Sequence, residues 1–364
     1  MPPVITTADV TELADPKLRR LAMRVVKEME LAMHKAAANV AEPSRFPLPP
    51  RPDAAERLFR SRLQALKPEQ RQLAVARVMP QVKATPAQRS KAFGELAGVD
   101  LSAARSVSEQ AQALPFPAAL KLSPDGLAGL TELHGAVLAV PTPAAGAPAA
   151  APAVTGPALD NLELRLHRVH CLEETGSGPF SDVGEDEIAL SGTSVDESGD
   201  VKKFSEFRVG DFDDGDDKSF SPPRRLTIFN LREGTAFPKS YFVTLVLAEK
   251  DMGGLSDFVN RLLDKVRERV TAMLAAALGA AIGASGGPVG VIIGAAVGFV
   301  VGKVFDLLKS VFADDVFPPR TVSVAVPSLN HRFPGGRTDS AESTIRFDGH
   351  GGEYTLTYDW RVIP

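Results

Sequence analysis

Two groups of carboxylates are the residues whose type and spacing point most directly to chemistry. The first is the segment Asp-Phe-Asp-Asp-Gly-Asp-Asp at 211–217, and the second surrounds residues 182–187. Ca²⁺ prefers six to eight oxygen ligands, which loops meeting at one end of a β-sandwich can supply. Calcium is therefore the one candidate cofactor, and the alternative is a solvated acidic turn. The candidate calcium ligands are Asp182, Asp186, Asp211, Asp213, Asp214 and Asp216.

The EF-hand interpretation of the first group fails, because Gly215 occupies the fifth position and the downstream glutamate is missing. An early strand with an acidic loop, followed by an Asp-Phe-Asp loop, resembles C2-type membrane-binding domains in these two loops alone. That resemblance implies contact with a membrane surface.

The motifs that suggest catalysis stand in the wrong context. Gly283-Ala-Ser285-Gly-Gly287 has the spacing of a nucleophile elbow, but Ser285 follows an apolar helical pattern instead of a buried strand. The histidines are scattered without metal-ligand spacing, and the strand period places His167 and His170 on opposite sides. The sequence therefore predicts a protein that is not an enzyme.

The most specific pattern is a repeat of glycine every four residues within a stretch free of charge. No charged side chain occurs over 33 residues, from Val270 to Gly302, and Gly286-Gly287-Pro288 predicts a turn that divides the stretch into two helical arms. Glycine costs about 1 kcal/mol relative to alanine in a helix, so close backbone contact must offset it. Small residues at this spacing let another helix approach closely, which favours association in lipid. The zipper residues are Gly279, Gly283, Gly286, Gly290, Gly294, Gly298 and Gly302.

Residues 255–312 resemble the glycine-zipper membrane hairpins of colicin-like pore formers, and the resemblance covers no other part of the chain. It implies insertion into a bilayer and self-association through the hairpin, and it supplies no catalytic residues. The alternative is a hairpin buried in the protein's own core or in an oligomer. The charge-free length favours a membrane, because a soluble hairpin normally keeps a polar face. Each arm is nevertheless shorter than the roughly 20 residues that span a bilayer.

The elements around the hairpin divide the chain into two predicted domains. Helix starts at Asp15-Pro16, Lys67-Pro68 and Thr85-Pro86 predict a small all-α domain over 1–135. Residues 136–157 are rich in Ala and Pro and contain no charge, which is typical of an extended linker.

Beyond the linker the hydrophobic period changes from 3.6 to 2. Leu162, Leu164 and Leu166 alternate with polar residues, and similar alternation occurs over 322–326 and 354–362. About eight strands separated by turns predict an antiparallel β-sandwich over 158–364, with the hairpin inserted at 255–312. The fold class is therefore α+β.

Charge and cysteine content restrict the partners. Residues 1–135 carry 19 Lys+Arg against 14 Asp+Glu, whereas residues 158–364 carry 22 against 31. The acidic domain would repel phosphate, so we predict no nucleic-acid partner. One cysteine excludes an intrachain disulfide and fits synthesis in the cytoplasm. The first residues do not resemble a Sec signal peptide, so we expect membrane association, or export by a dedicated route.

The sequence thus predicts a bacterial-type, membrane-active protein that inserts its hairpin to permeabilise a bilayer or to anchor to it. The alternative is a non-enzymatic, C2-like interaction module that uses the hairpin to oligomerise. In either case, the N-terminal helices could shield the hairpin tip or recruit a protein partner.

Overall fold

The computed structural model describes residues 6–9, 13, 15–123, 130, 156–175, 186–196, 201–233, 237–249, 255–279, 288–312, 317–349 and 351–364. Its architecture is α+β, as predicted, with helices in the N-terminal part and antiparallel sheets in the C-terminal part. The predicted linker lies mostly outside the described residues.

The N-terminal helices begin where proline and capping residues predict. The Asp15 carboxylate accepts hydrogen bonds from the backbone N–H of Lys17 (2.8 Å) and Leu18 (2.7 Å), which satisfies the first turn. Thr85 and Gln88 form a capping box in the same way. The helices are α1 (Pro16–Ala41), α2 (Ala55–Ala65), α3 (Pro68–Val82), α4 (Pro86–Phe93) and α5 (Val107–Ala113).

The strands form two antiparallel sheets. Sheet I has the order β1-β7-β6-β3-β4, and sheet II has the order β5-β2-β9-β8. The first strands are β1 (Thr6–Asp9), β2 (Asn161–Glu173), β3 (Asp186–Val195), β4 (Val201–Phe212) and β5 (Asp217–Asn230). The others are β6 (Lys239–Glu249), β7 (Arg320–Val326), β8 (Ser343–Gly349) and β9 (Gly352–Ile363).

The two sheets bury one shared apolar core between them. Leu190 and Val243 of sheet I join Leu164, Leu356 and Trp360 of sheet II in this core, and each side chain is fully buried. The outward residues of sheet II are mostly polar. Sheet II therefore shows the period of two that the sequence displays at 162–166 and 354–362.

Sheet I is covered on its other face by helices. Phe242, Val246 and Ala248 of β6 belong to a second core, which they share with the N-terminal helices and with the hairpin helices α6 (Leu255–Leu278) and α7 (Pro288–Phe312). The molecule therefore has three layers: helices, sheet I and sheet II. The two predicted domains share the helical core instead of meeting only at a linker.

Some local predictions are wrong. Asp211 lies within β4 instead of in a loop. The predicted alternation also fails around His167, because the pairing of β2 with β9 shifts register between Leu166 and Arg168. His167 and His170 consequently both contact carboxylates on the outer face of sheet II.

Candidate functional site: the covered hairpin

The hairpin helices occupy the predicted residues and lie between two other layers. Helix α1 contacts both α6 and α7, while α2 contacts α6 and α3 contacts α7. On the opposite side, α6 lies against β3 and β6, and α7 lies against β6 and β7. We call α1, α2 and α3 the cover. The hairpin is therefore enclosed between the cover and sheet I.

The predicted apolar stripe of α6 is buried at Phe258, Leu262, Val266 and Val270. Helix α7 has no polar side in its first half, where every residue from 292 to 301 is buried. A helix that is apolar on all sides belongs either in a protein core or in a membrane. In this structure, α7 is a core helix. Among the described residues, no helix is long and apolar enough to cross a membrane.

Two zipper glycines fit α7 against sheet I. A Cβ atom added at Gly294 would lie 2.2 Å from Cδ2 of Phe242, and one added at Gly298 would lie 3.1 Å from Oγ1 of Thr321. The first contact has no space for a side chain, and the second leaves almost none. These glycines therefore allow β-sheet side chains, instead of a second helix, to approach the α7 backbone.

The other zipper positions differ from this pair. Gly302 has open space at the position of a Cβ, and Gly279 has a φ of +68° at the end of α6, where glycine commonly ends a helix. The surroundings of Gly290 are not described, and Gly283 and Gly286 lie outside the described residues. Self-association through the zipper stays a prediction.

The side of the hairpin that faces the cover contains buried charges. Arg269 of α6 donates two hydrogen bonds to Oε2 of Glu28 in α1, at 2.8 and 3.0 Å. The side chains are 5% and 1% exposed, respectively. Burial raises the pKa of Glu28, and the nearby charges of Arg269 and Arg24 partly offset this effect. A buried ion pair therefore joins cover and hairpin.

A second polar link lies at the far end of α7. Nη1 of Arg77, in α3, donates to the backbone oxygens of Ser310 (3.2 Å) and Val311 (3.3 Å). Cations near a helix C-terminus satisfy carbonyl groups that have no intrahelical partner. Lys265 of α6 pairs with Asp53, just before α2, at 3.0 Å. The cover therefore contacts the hairpin through polar groups at several points.

Sequence reasoning missed these links, although a weak signal is present. Arg269 lies three residues after Val266 and four before Met273, so it falls within the apolar stripe of α6. Glu28 falls in the same way between Val25 and Ala32 of α1. A charge in such a stripe predicts a buried partner, but one sequence cannot identify a partner 241 residues away.

Three of the predicted calcium ligands, Asp186, Asp213 and Asp214, lie near Glu174, whose pKa is raised by burial and then by their charges. Asp186 accepts hydrogen bonds from the backbone N–H of Thr175 (2.6 Å), from its Oγ1 (2.7 Å) and from the Tyr354 hydroxyl (2.6 Å). Asp214 accepts from the backbone N–H of Glu174 (2.7 Å). Asp182 lies outside the described residues. No group of three or more His, Cys, Asp or Glu side chains in the described part could hold a metal ion.

Asp213 and Asp216 belong to the turn between β4 and β5. Asp216 N–H donates to the backbone oxygen of Asp213 (3.1 Å), and Asp213 N–H donates to the Asp216 carboxylate (3.1 Å). Gly215 has a φ of +86°, as such a turn requires. Asp211 lies in β4 and pairs with Arg208. These contacts explain the acidic segment as a turn, and calcium binding stays a prediction.

An apolar crevice lies where α1, α6 and α7 meet. It has no room for a water molecule, and its lining residues are Leu18, Leu21, Ala22, Val25, Val270, Met273, Leu274 and Ala296. Ligand pockets usually exceed roughly 300 Å³ and contain a few converging polar groups. The crevice therefore does not point to a small-molecule substrate.

Comparisons with protein families, curated proteins and solved structures found no match for this chain. The covered hairpin is consequently the feature on which a functional argument rests.

Proposed function

We propose that this protein is a membrane-active protein without enzymatic activity, which keeps an apolar hairpin beneath the cover and presents it to a bilayer when the cover moves away. The observation that carries this proposal is the enclosure of the charge-free half of α7, which is buried at every position from 292 to 301. A bilayer is the other environment in which such a helix is stable.

The two interfaces of the hairpin suggest which one opens. The sheet side is a close fit in which Gly294 faces Phe242. Its ion pair, between Lys203 of β4 and Asp264 of α6, lies at the exposed edge. The cover side contains the Glu28–Arg269 pair and the Arg77 contacts. Water can solvate these charged groups after separation, which partly offsets the loss of their contacts. We therefore propose that the hairpin stays on sheet I while the cover separates.

The cover is joined to the β-domain at both ends. Residues 10–15 connect β1 of sheet I to α1, so α1 can move only as far as these six residues reach, about 20 Å, while β1 stays paired with β7. Residues 136–157, between the cover and β2, are the predicted extended linker. In water, separation would expose the apolar surface between cover and hairpin, so the covered state is favoured there. At a bilayer, that surface transfers to lipid instead, and the equilibrium shifts towards the open state.

A second candidate function is the interaction module, in which the hairpin is a permanent part of the fold. The fit of Gly294 and Gly298 on Phe242 and Thr321 favours it, because contacts inside the monomer then account for these two glycines. The two candidates differ in whether the charge-free end of the hairpin ever contacts lipid.

A fluorescent label can distinguish them. Deleting 270–302 is unsuitable, because these residues form part of the helical core. Instead, Ala276→Cys places a label at an exposed position near the charge-free end of α6, and Ala76→Cys is the matched control on an exposed position of α3. Cys171 is buried and its pKa is raised to about 11, so it reacts slowly with thiol reagents.

We expect an environment-sensitive label at Ala276 to shift its emission to the blue with liposomes, and the label at Ala76 to shift much less. Simultaneous dye release would indicate a pore, and its absence an anchor. Unchanged emission at Ala276, in folded protein shown by circular dichroism and over a range of pH, would favour the interaction module.

A further inference from the structure

We propose that the segment 115–123, which follows α5 and which we call the strap, is the part of the helical layer that opens first and uncovers the end of α6. This inference rests on the proposed function, because it names the first step of the movement that presents the hairpin to a bilayer. Separation of the cover, which breaks the Glu28–Arg269 pair, is then the second step.

The strap crosses the start of α1 and reaches the last turn of α6. The backbone N–H of Leu122 donates to the backbone oxygen of Ala277 (2.8 Å). Nζ of Lys17, in the first turn of α1, donates to the backbone oxygen of Lys121 (2.8 Å). A carbonyl group in the last turn of a helix has no partner inside that helix, so the strap satisfies an acceptor at the end of α6.

Few side chains of the strap contribute to the helical core. Leu120 and Leu122 are buried, and Phe116 is half-buried with the Arg24 guanidinium 5.9 Å from the centre of its ring. Regular structure in the strap is limited to a short 3-10 turn at Ala118–Leu120, whereas most residues of α1 are buried inside a long helix. A segment with few buried contacts opens at a lower free energy than a packed helix. We therefore expect the strap to open before α1.

The contacts of the cover also divide the hairpin into two parts. The ion pairs that Arg269 and Lys265 form with the cover lie before Val270 in α6. No charged side chain occurs from Val270 to Gly302, so no ion pair can hold this part of the hairpin. The strap joins it through the backbone bond of Leu122. Opening of the strap therefore leaves the ion pairs of the cover intact.

Hydrogen exchange of the protein in water tests the order of opening without lipid. We expect the amide of Leu122 to exchange through a local opening whose rate changes by less than about twofold in Glu28→Gln, because this opening does not break the ion pair. Amides of α1 around Glu28 should exchange at least about 100-fold faster in the same variant. If Leu122 exchanges no faster than these amides in the wild type, or accelerates with them in the variant, the strap opens together with the cover and the proposal is overturned.

A reversible crosslink tests whether the strap must open at a membrane. Lys121→Cys with Leu278→Cys places two thiols beside the bonded pair of Leu122 and Ala277, and neither wild-type side chain is fully buried. A short bismaleimide that contains a disulfide can join these thiols and can be cleaved with a reducing agent. Cys171 is buried and its pKa is raised to about 11, so it reacts slowly.

The matched control is Lys303→Cys with Asp306→Cys. These exposed side chains pair at 3.1 Å within α7, so their crosslink restrains a single helix. We expect the crosslinked strap to lose flotation with liposomes of phosphatidylcholine and phosphatidylglycerol, and cleavage of the crosslink to restore it. The control should float equally before and after cleavage.

Flotation that is unchanged by the strap crosslink would overturn the proposal. If the wild type does not float with liposomes, the proposed function fails, and hydrogen exchange in water still decides whether the strap opens first. The two failures are therefore distinguishable.

Discussion

The hairpin has two sides that differ in chemistry. Towards sheet I, Gly294 and Gly298 bring the α7 backbone against Phe242 and Thr321, and no charged group takes part in these contacts. Towards the cover, Arg269 forms a buried ion pair with Glu28, and other polar groups reach across from α3 and from Asp53. The sheet side has an ion pair at its exposed edge, between Lys203 and Asp264, and is otherwise packed like an ordinary core, whereas the cover side contains buried charges that water could solvate again. This difference is the basis for proposing that the cover, and not the sheet, separates from the hairpin.

The largest change in the free energy of unfolding is expected from a substitution on the cover side of the hairpin. Glu28→Gln leaves Arg269 buried without a full counter-charge, and loss of one partner of a buried pair costs about 3–5 kcal/mol. Measured by urea unfolding at neutral pH, the variant should be destabilised by about that amount. Glu268→Gln is the control, since Glu268 is exposed and pairs with Lys265, and it should change stability by less than about 1 kcal/mol.

Glu28→Gln should also increase the transfer of the Ala276 label into liposomes at a temperature where the protein remains folded. If the variant is as stable as the wild type, or is destabilised without increased transfer of the label, the Glu28–Arg269 pair does not hold the cover on the hairpin.

A substitution on the sheet side should destabilise the protein without promoting the transfer of the Ala276 label into liposomes. Gly294→Leu forces a side chain into the space of Phe242, and overpacking of this kind costs about 3 kcal/mol. The expected result is a lower urea midpoint, with less effect on label transfer than Glu28→Gln at matched stability. Equal transfer by both variants would show that the two sides of the hairpin open together.

The cover should lose stability as the pH falls, through His34 of α1. His34 is buried edge-to-face against Phe93, and its Nε2 lies 3.9 Å from the Glu30 carboxylate. Burial, and then Arg89, lowers the pKa of His34 to about 4. Between about pH 6.5 and 4, His34 therefore binds a proton in the unfolded chain but not in the folded chain. About 3 kcal/mol of the free energy of unfolding should be lost as the pH falls through this range.

Three carboxylates of the cover, two buried and one half-buried, act in the opposite direction. Burial raises the pKa values of Glu28, Glu30 and Glu56, so their contributions are present at low pH and are lost as the pH rises through their folded pKa values. The informative quantity is thus the difference in the free energy of unfolding between the wild type and His34→Leu, measured as a function of pH. If this difference stays constant between pH 7 and pH 4, His34 does not couple protonation to the stability of the cover.

The smallest change in stability is expected at Gly302, where no atom lies within 4 Å of an added Cβ. Gly302→Ala adds a methyl group into open space within α7, and alanine is favoured over glycine in a helix by about 1 kcal/mol. A small rise in the melting temperature is expected. A decrease in the melting temperature would show that another group packs closely against Gly302.

Local sequence signals identified much of this fold, because they depend on neighbouring residues. Proline after a capping residue marked the starts of α1, α3 and α4, and alternation marked β2, β7 and β9. Strand β1 was not predicted, because four residues near the N-terminus carry no recognisable period and are held by pairing with β7. Strand β4 was missed because its exposed polar residues outnumber its buried ones.

The two hairpin helices lie within the predicted residues 255–312, but the layers that surround them could not be predicted from the sequence. A glycine stripe specifies that something approaches closely, without specifying whether it is lipid, a helix or Phe242 of a sheet. The absence of charge in the first half of α7 does not distinguish these cases either, because a helix enclosed between the cover and sheet I must be as free of charge as a helix in a bilayer. Membrane contact therefore remains a proposal that needs a direct test.

The most direct test is quenching of the Ala276 label by quenchers attached to lipid chains. With anionic liposomes, the proposal predicts strong quenching at Ala276, weaker quenching of the Ala76 control, and a further increase at Ala276 in the Glu28→Gln variant. Labels that respond only to quenchers dissolved in water, in protein shown to be bound to the liposomes, would contradict insertion and establish the hairpin as a fixed part of the core.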